Sequence, residues 1–96
     1  MATYLIFIRD RVRDEAAMAE YGARAQASTA GHPLEPLVVY GAVETLEGAE
    51  VDGVVVLRFA DAAAARAWYD SPDYTDARKF RHLGSDYRVL MVEGVA

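Results

Sequence analysis

The chain has 96 residues, of which 53% are hydrophobic, and a formal net charge of −5. This length predicts one domain over residues 1–96. The negative charge disfavours nucleic acid and anionic membrane surfaces as partners, because both would repel the protein at long range. The sequence has no cysteine, which excludes disulfides, thiol catalysis and thiolate metal sites.

No segment approaches the ~20 apolar residues that a membrane-spanning helix requires. The chain starts with Met1-Ala2-Thr3 and continues into a short apolar run, and charged residues follow from Arg9 onward. A signal peptide would need a basic start and a longer apolar stretch. We therefore expect a soluble, cytoplasmic protein.

The first half of the chain predicts a strand, a helix and a second strand. Residues 3–9 are rich in β-forming side chains. Asp14 stands where an N-cap belongs, and helical spacing of apolar residues predicts a helix over 14–30. Residues 37–43 predict the second strand, and turn signals near 47–52 predict the loop of a hairpin.

The second half predicts a third strand over 54–59, which pairs with the second. Asp61 is the expected N-cap of another helix, and Ser71-Pro72 restarts that helix until Gly84 ends it. Residues 87–93 predict the last strand. The order β-α-β-β-α-β predicts an α+β fold, a ferredoxin-like sandwich with an antiparallel sheet and both helices on one face.

The predicted strands are apolar on both faces. In the first strand Tyr4, Ile6 and Ile8 alternate with Leu5 and Phe7, and the third and last strands follow the same pattern. A half-solvated sheet would carry polar residues at every second position. Since the helices cover one face, we expect a second copy to cover the other, as a homodimer. A hydrophobic ligand or a different protein is the alternative cover.

The segment from Val55 to Arg81 contains a W-Y-x-S-P-x-Y motif, followed by arginines. It resembles the family called domain of unknown function 1330, and the hairpin segments Val39–Gly41 and Leu46–Gly48 and the closing Val92–Gly94 resemble it too. The resemblance covers essentially the whole chain. It implies a ferredoxin-like fold that pairs as a dimeric α/β barrel, and it supplies no established reaction.

The chain departs from the family pattern at four positions. The family usually has a basic residue at the position of Tyr40 and a second glycine at Ala42, with glutamate and proline at Arg58 and Ala60. If these positions line a pocket, the ligand preference differs from that of relatives. Tyr40 is therefore a candidate ligand-binding residue.

The other candidate ligand-binding residues lie in or near the motif. They are Trp68, Tyr69, Ser71, Tyr74, Arg78 and Arg81. The i, i+4, i+7 spacing of Tyr74, Arg78 and Arg81 predicts one shared side of a helix, with Ala77 and Phe80 on the stripe that faces the sheet. Arginine forks suit carboxylate or phosphate, so a small acidic or phenolic ligand fits this cluster.

Each of these candidates also has a structural interpretation. Ser71 starts a helix, although its free amides also suit an anion. Trp68 suits core packing against small alanines. Arg78 and Arg81 lie near a helix C-terminus, where positive charge is favoured in any case.

The two histidines lie far apart in the sequence, which predicts no metal site, and no cofactor motif is present. His32 is a candidate general base or an exposed loop residue, and His82 is interpreted as a helix-end residue.

Three functions stay open: a dimeric small-molecule-binding protein, a cofactor-free enzyme of the monooxygenase or isomerase type, and a structural dimerisation domain. In the enzyme, Tyr69 or Tyr74 would donate a proton and His32 would accept one, with Arg78 as oxyanion partner. A cavity beside Trp68 would favour ligand binding.

Overall fold

The computed structural model describes all 96 residues. Its elements are β1 Thr3–Val12, α1 Glu15–Ala27, β2 Glu35–Val39, β3 Gly53–Phe59, α2 Ala62–Tyr69, α3 Pro72–Gly84 and β4 Ser85–Glu93. The sheet has the order β2-β3-β1-β4, and every pair of neighbours is antiparallel. The predicted α+β, ferredoxin-like arrangement is confirmed, with the second helical region divided into α2 and α3.

Each helix begins at a side-chain cap that the sequence predicts. The Asp14 carboxylate accepts hydrogen bonds from the first amides of α1, and the Asp61 carboxylate does the same for α2. Ser71 Oγ accepts a hydrogen bond from the Tyr74 amide, and Pro72 occupies the first turn of α3. These caps satisfy amides that have no partner inside the helix.

The second strand is shorter than the predicted range 37–43. β2 ends at Val39, because Tyr40 has a φ of 54°, which turns the chain out of the extended conformation. The Tyr40 amide still donates to the Val54 carbonyl at 2.9 Å. Residues 40–52 then form a loop that is longer than the predicted 47–52.

The core lies between the helices and one face of the sheet. Its largest members are aromatic: Phe7 and Phe59 from the strands, and Trp68 and Tyr74 from the helices. The Trp68 and Tyr74 ring centroids are 4.1 Å apart. Ala65 and Ala77 are fully buried between helix and sheet, where a larger side chain would keep the helices away from it.

The opposite face of the sheet, which we call the open face, is formed by Tyr4, Ile6, Ile8, Val38, Val54, Val56, Leu90 and Val92. Register places Ile6 between Val56 and Leu90. No helix lies on this face, and Leu90 is 51% exposed. The prediction that the strands carry apolar residues on both faces of the sheet is confirmed. None of the helices is long and apolar enough to cross a membrane.

Candidate functional site

A cavity of about 650 Å³ lies between α1 and the β2–β3 side of the sheet. We call it the α1 cavity. Its walls are mostly apolar and include Phe7, Tyr21 and Trp68, whereas Gln26, Thr29 and His32 supply polar atoms. It forms because α1 and the loop that follows it stand away from the helix-facing side chains of β2 and β3.

Trp68 is held in the wall of the α1 cavity by hydrogen bonds. The indole Nε1 donates to Ser28 Oγ at 3.1 Å, and Ser28 Oγ donates to the Ala25 carbonyl at 2.6 Å. Trp68 and Ser28 are each 2% exposed. This chain of bonds fixes the indole against the end of α1, so that the wall of the cavity has a defined shape.

The side chain of Tyr40 lies across neighbouring strands of the sheet, at the edge of the α1 cavity. Its ring lies directly over Gly53, where an added Cβ would come within 2.6 Å of Tyr40 Cδ1. The Arg9 guanidinium carbon is 4.3 Å from the centroid of the Tyr40 ring. The Tyr40 hydroxyl is hydrogen-bonded to the Tyr87 hydroxyl. Tyr40 therefore has contacts with the neighbouring strands that hold it in place.

A second pair of phenols lies between the helices and the sheet. The Tyr21 and Tyr74 hydroxyls are 2.7 Å apart. Burial raises the pKa of Tyr74 to about 12. Burial and the neighbouring phenols raise the pKa values of Tyr21 and Tyr87 as well. These tyrosines are neutral near pH 7, and in each pair one hydroxyl donates a hydrogen bond and the other accepts it.

A second depression, of about 430 Å³, lies where α3 meets β4. We call it the α3 recess. Tyr69, Arg81, His82 and Tyr87 line it, together with Ser85, Asp86 and Val89. The pKa of His82 is lowered by burial and by the charges of Arg81 and Arg78.

The structure corrects the predicted faces of α3. Tyr74, Ala77 and Arg81 face inward, and Arg81 is only 3% exposed. Phe80 is half-buried beneath the Arg24 guanidinium, whose carbon is 4.7 Å from the ring centroid. The prediction that Ala77 faces the sheet is right. Tyr74 and Arg81 share one side of the helix, as predicted, because a seven-residue step returns Arg81 to a position below Tyr74. That side is the inward one together with Ala77, and not a stripe beside it.

The predicted site residues do not meet in one place. Tyr40, Trp68 and His32 line the α1 cavity, whereas Tyr69 and Arg81 line the α3 recess. His32 and Tyr69, proposed from the sequence as base and acid, thus line different depressions.

The remaining candidates contact neither depression. Tyr74 is fully buried and its hydroxyl is bonded to that of Tyr21. Arg78 lies over the Tyr69 ring at 4.3 Å from its centroid. The Ser71 hydroxyl is engaged by the Tyr74 amide. Ser71 therefore acts in this structure as the cap of α3.

Sequence reasoning missed Tyr21, Arg9 and Tyr87. Tyr21 carries a signal, since it lies on the apolar stripe of α1, but nothing local shows that its hydroxyl reaches Tyr74. Arg9 and Tyr87 meet because they are directly opposed in the β1–β4 register. Such a contact between distant residues follows from strand register and not from a local motif.

The family model described as "Domain of unknown function (DUF1330)" matches residues 2–95 of the chain. No curated protein matches it significantly. A protein of unknown function from Rhodopseudomonas palustris is similar in structure, with a TM-score of 0.77 and 17% identity over 99% of this chain and 83% of that one. A dimeric ferredoxin-like protein of unknown function from Jannaschia sp. CCS1 has a TM-score of 0.74 and 16% identity over 98% of this chain and 100% of that one.

SnoaB, a cofactor-independent oxygenase from Streptomyces nogalater, is also similar in structure. Its TM-score is 0.63 at 15% identity, over 99% of this chain and 93% of that one. At such identities these likenesses show the fold alone. The fold of the chain is ferredoxin-like.

Proposed function

The chain belongs to the DUF1330 family, and we propose that it binds a small, planar, largely apolar molecule in the α1 cavity. The observation that carries this proposal is a cavity of about 650 Å³ with aromatic walls. Small-molecule sites typically measure roughly 300–1,000 Å³ and combine apolar walls with a few polar groups. Leu34, Tyr40 and Val55 supply accessible apolar surface against which a flat ligand would lie. Phe7, Tyr21 and Trp68 are almost fully buried and form the aromatic wall behind it.

Polar side chains of the cavity give the ligand an orientation. The imidazole of His32 and the amide of Gln26 line the cavity and make no hydrogen bond to the protein. They are free to bind a hydroxyl or carbonyl group of the ligand. A planar molecule with one or two oxygen atoms at its edge therefore fits the cavity better than a pure hydrocarbon.

Trp68 is the one tryptophan of the chain and lies in the cavity wall, so its emission reports binding. The probe is 1,4-naphthoquinone, which is flat, uncharged and quenches indole emission. Gly22 also lines the cavity, and no atom lies within 4 Å of the position of an added Cβ. We expect Gly22→Leu to fill part of the cavity and to weaken binding about tenfold or more.

The matched control is Ala23→Leu, which adds a leucine to the same helix at an exposed position outside the cavity lining. It should quench like the wild type. Leucine at position 22 favours the helix more than glycine does, so loss of binding would not reflect unfolding. Equal quenching of the wild type and Gly22→Leu would reject the α1 cavity as the site.

We also infer that two copies pair through the open face. This face is a continuous apolar surface that includes Ile6, Val56 and Leu90, and ion pairs stand at its margins, such as Arg88 to Asp10 at 2.9 Å. Exposed apolar patches of this kind are rare on monomers. The similar structure from Jannaschia sp. CCS1 is described as dimeric, which supports the inference.

A cofactor-independent oxygenase is the second candidate function. It is favoured by the likeness to SnoaB over 99% of this chain and by the position of His32, a candidate base, in the wall of the α1 cavity. Oxygen uptake on addition of a bound phenol, lost in His32→Gln, would support this activity. Binding without oxygen uptake would favour a small-molecule-binding protein that has no oxygenase activity. The absence of any binding would favour a structural dimerisation domain.

A further inference from the structure

Arg81 is a buried charge without a partner. Its side chain is 3% exposed, forms no salt bridge, and its Nε makes no hydrogen bond. Aromatic rings lie against its guanidinium: the carbon is 5.1 Å from the Tyr87 ring centroid and 5.8 Å from that of Phe7. A buried guanidinium normally has a carboxylate or several acceptors, because removing it from water is costly.

No acidic group of the protein neutralises Arg81. Asp86 lines the same recess, but its carboxylate binds the guanidinium groups of Arg11 and Arg13. Tyr21, Tyr74 and Tyr87 also lie near Arg81, and these phenols carry no charge near pH 7, because their pKa values are raised further above that pH. The α3 recess therefore keeps an excess of positive charge.

We propose that the α3 recess binds a small organic carboxylate, which the guanidinium of Arg81 holds. A carboxylate would supply the hydrogen-bond acceptors that Arg81 lacks within the protein. Tyr69, Tyr87 and Val89 supply apolar surface in the same recess, which favours an organic acid over an inorganic anion. This site goes beyond the α1 cavity, since the two depressions share no lining residue.

The test follows the Nε–H signal of Arg81 by two-dimensional ¹H–¹⁵N NMR during titration with benzoate. Benzamide, which has the same shape without the charge, is the ligand control. The signal is assigned by its absence in Arg81→Met, whose side chain keeps part of the apolar packing. We expect benzoate, and not benzamide, to shift this signal, and we expect Arg81→Met to weaken benzoate binding about tenfold or more.

Arg24→Met is the matched control variant. It removes one positive charge from an exposed arginine that stacks on Phe80, outside the recess. It should bind benzoate like the wild type, which would exclude a general effect of net charge. If Arg81→Met does not fold, Arg81→Lys is the second variant. It keeps the positive charge but removes the planar guanidinium that binds a carboxylate with two parallel hydrogen bonds, so it too should bind benzoate more weakly.

Two results would overturn the proposal. Benzoate binding of equal strength in the wild type and the Arg81 variant would remove Arg81 from the site. An equal Nε–H shift with inorganic phosphate at the same concentration would assign the recess to small anions in general and not to an organic acid. Quenching of Trp68 by 1,4-naphthoquinone is measured separately, so either site can fail while the other stands.

Discussion

The two faces of the sheet have similar apolar composition but different environments. On one face, Leu5 and Phe7 are each 3% exposed beneath the helices. On the other, Leu90 and Val92 are 51% and 46% exposed, with no element over them. The difference shows that apolar alternation along a strand predicts which side chains favour burial. The connections between the strands decide on which face the helices lie, and so which of these side chains a single chain buries.

The largest expected effect is on the covered face. Trp68→Ala removes an indole that contacts Tyr74 and Phe59 and should lower the free energy of unfolding by about 3–5 kcal/mol. Chemical denaturation at one fixed protein concentration measures this change. The control is Leu46→Ala, at a side chain that is 85% exposed in the 40–52 loop. A loss under about 1 kcal/mol for Trp68→Ala would mean that the helix-covered face is not closely packed.

A substitution on the open face should change the oligomeric state of the protein and not the packing of its core. Ile6→Asp places a carboxylate in the middle of the apolar surface, and pairing would bury this charge without a partner. We expect the wild type to sediment as a dimer at micromolar concentration and the variant to sediment as a monomer. Leu46→Asp is the control, because it adds the same charge on the loop. A monomeric wild type, or a variant that still dimerises, would reject pairing through this face.

The smaller expected effect concerns the buried phenol pair of the covered face. Tyr74→Phe removes the hydroxyl that is 2.7 Å from that of Tyr21 and leaves the latter without a partner. We expect a loss of about 1–3 kcal/mol. The double variant Tyr21→Phe, Tyr74→Phe should recover part of this loss, since it removes both polar groups. A double variant with the summed loss of the two single variants would show that the hydroxyls do not act as a pair.

The same pair predicts a dependence of stability on alkaline pH. Burial raises the pKa of Tyr74 to about 12 in the folded protein, against about 10 in the unfolded chain. Below about pH 10 both states keep the proton, and above it the unfolded state loses its proton first. Stability should therefore fall as the pH rises from about 10 through 12, and the double phenylalanine variant should show a smaller fall in thermal melts.

The sequence predicts much of the fold because its signals are local. Asp14, Asp61 and Ser71 mark the helix starts, and alternation marks the strands. The end of β2 was missed because a positive φ at Tyr40 carries no signal in a run of β-forming residues. A non-glycine residue adopts this conformation when the surrounding contacts hold it there, here those of its ring with Gly53 and Arg9.

The candidate site was predictable only in part. Trp68, Tyr40 and His32 do line a cavity, but the sequence grouped them with residues that lie elsewhere. The burial of Arg81 has no local signal, since an arginine near the end of a helix is usually solvated. It depends on rings that β1 and β4 bring to α3, which is a property of the assembled sheet.

The position of Tyr40 has a consequence for ligand preference within related sequences. Its ring lies on Arg9, and its hydroxyl meets that of Tyr87. A lysine or arginine at position 40 would set a second positive charge beside Arg9, and the repulsion would move that side chain away from the sheet. The mouth of the α1 cavity would then have a different outline, so a ligand identified for such a relative would not carry over to this chain.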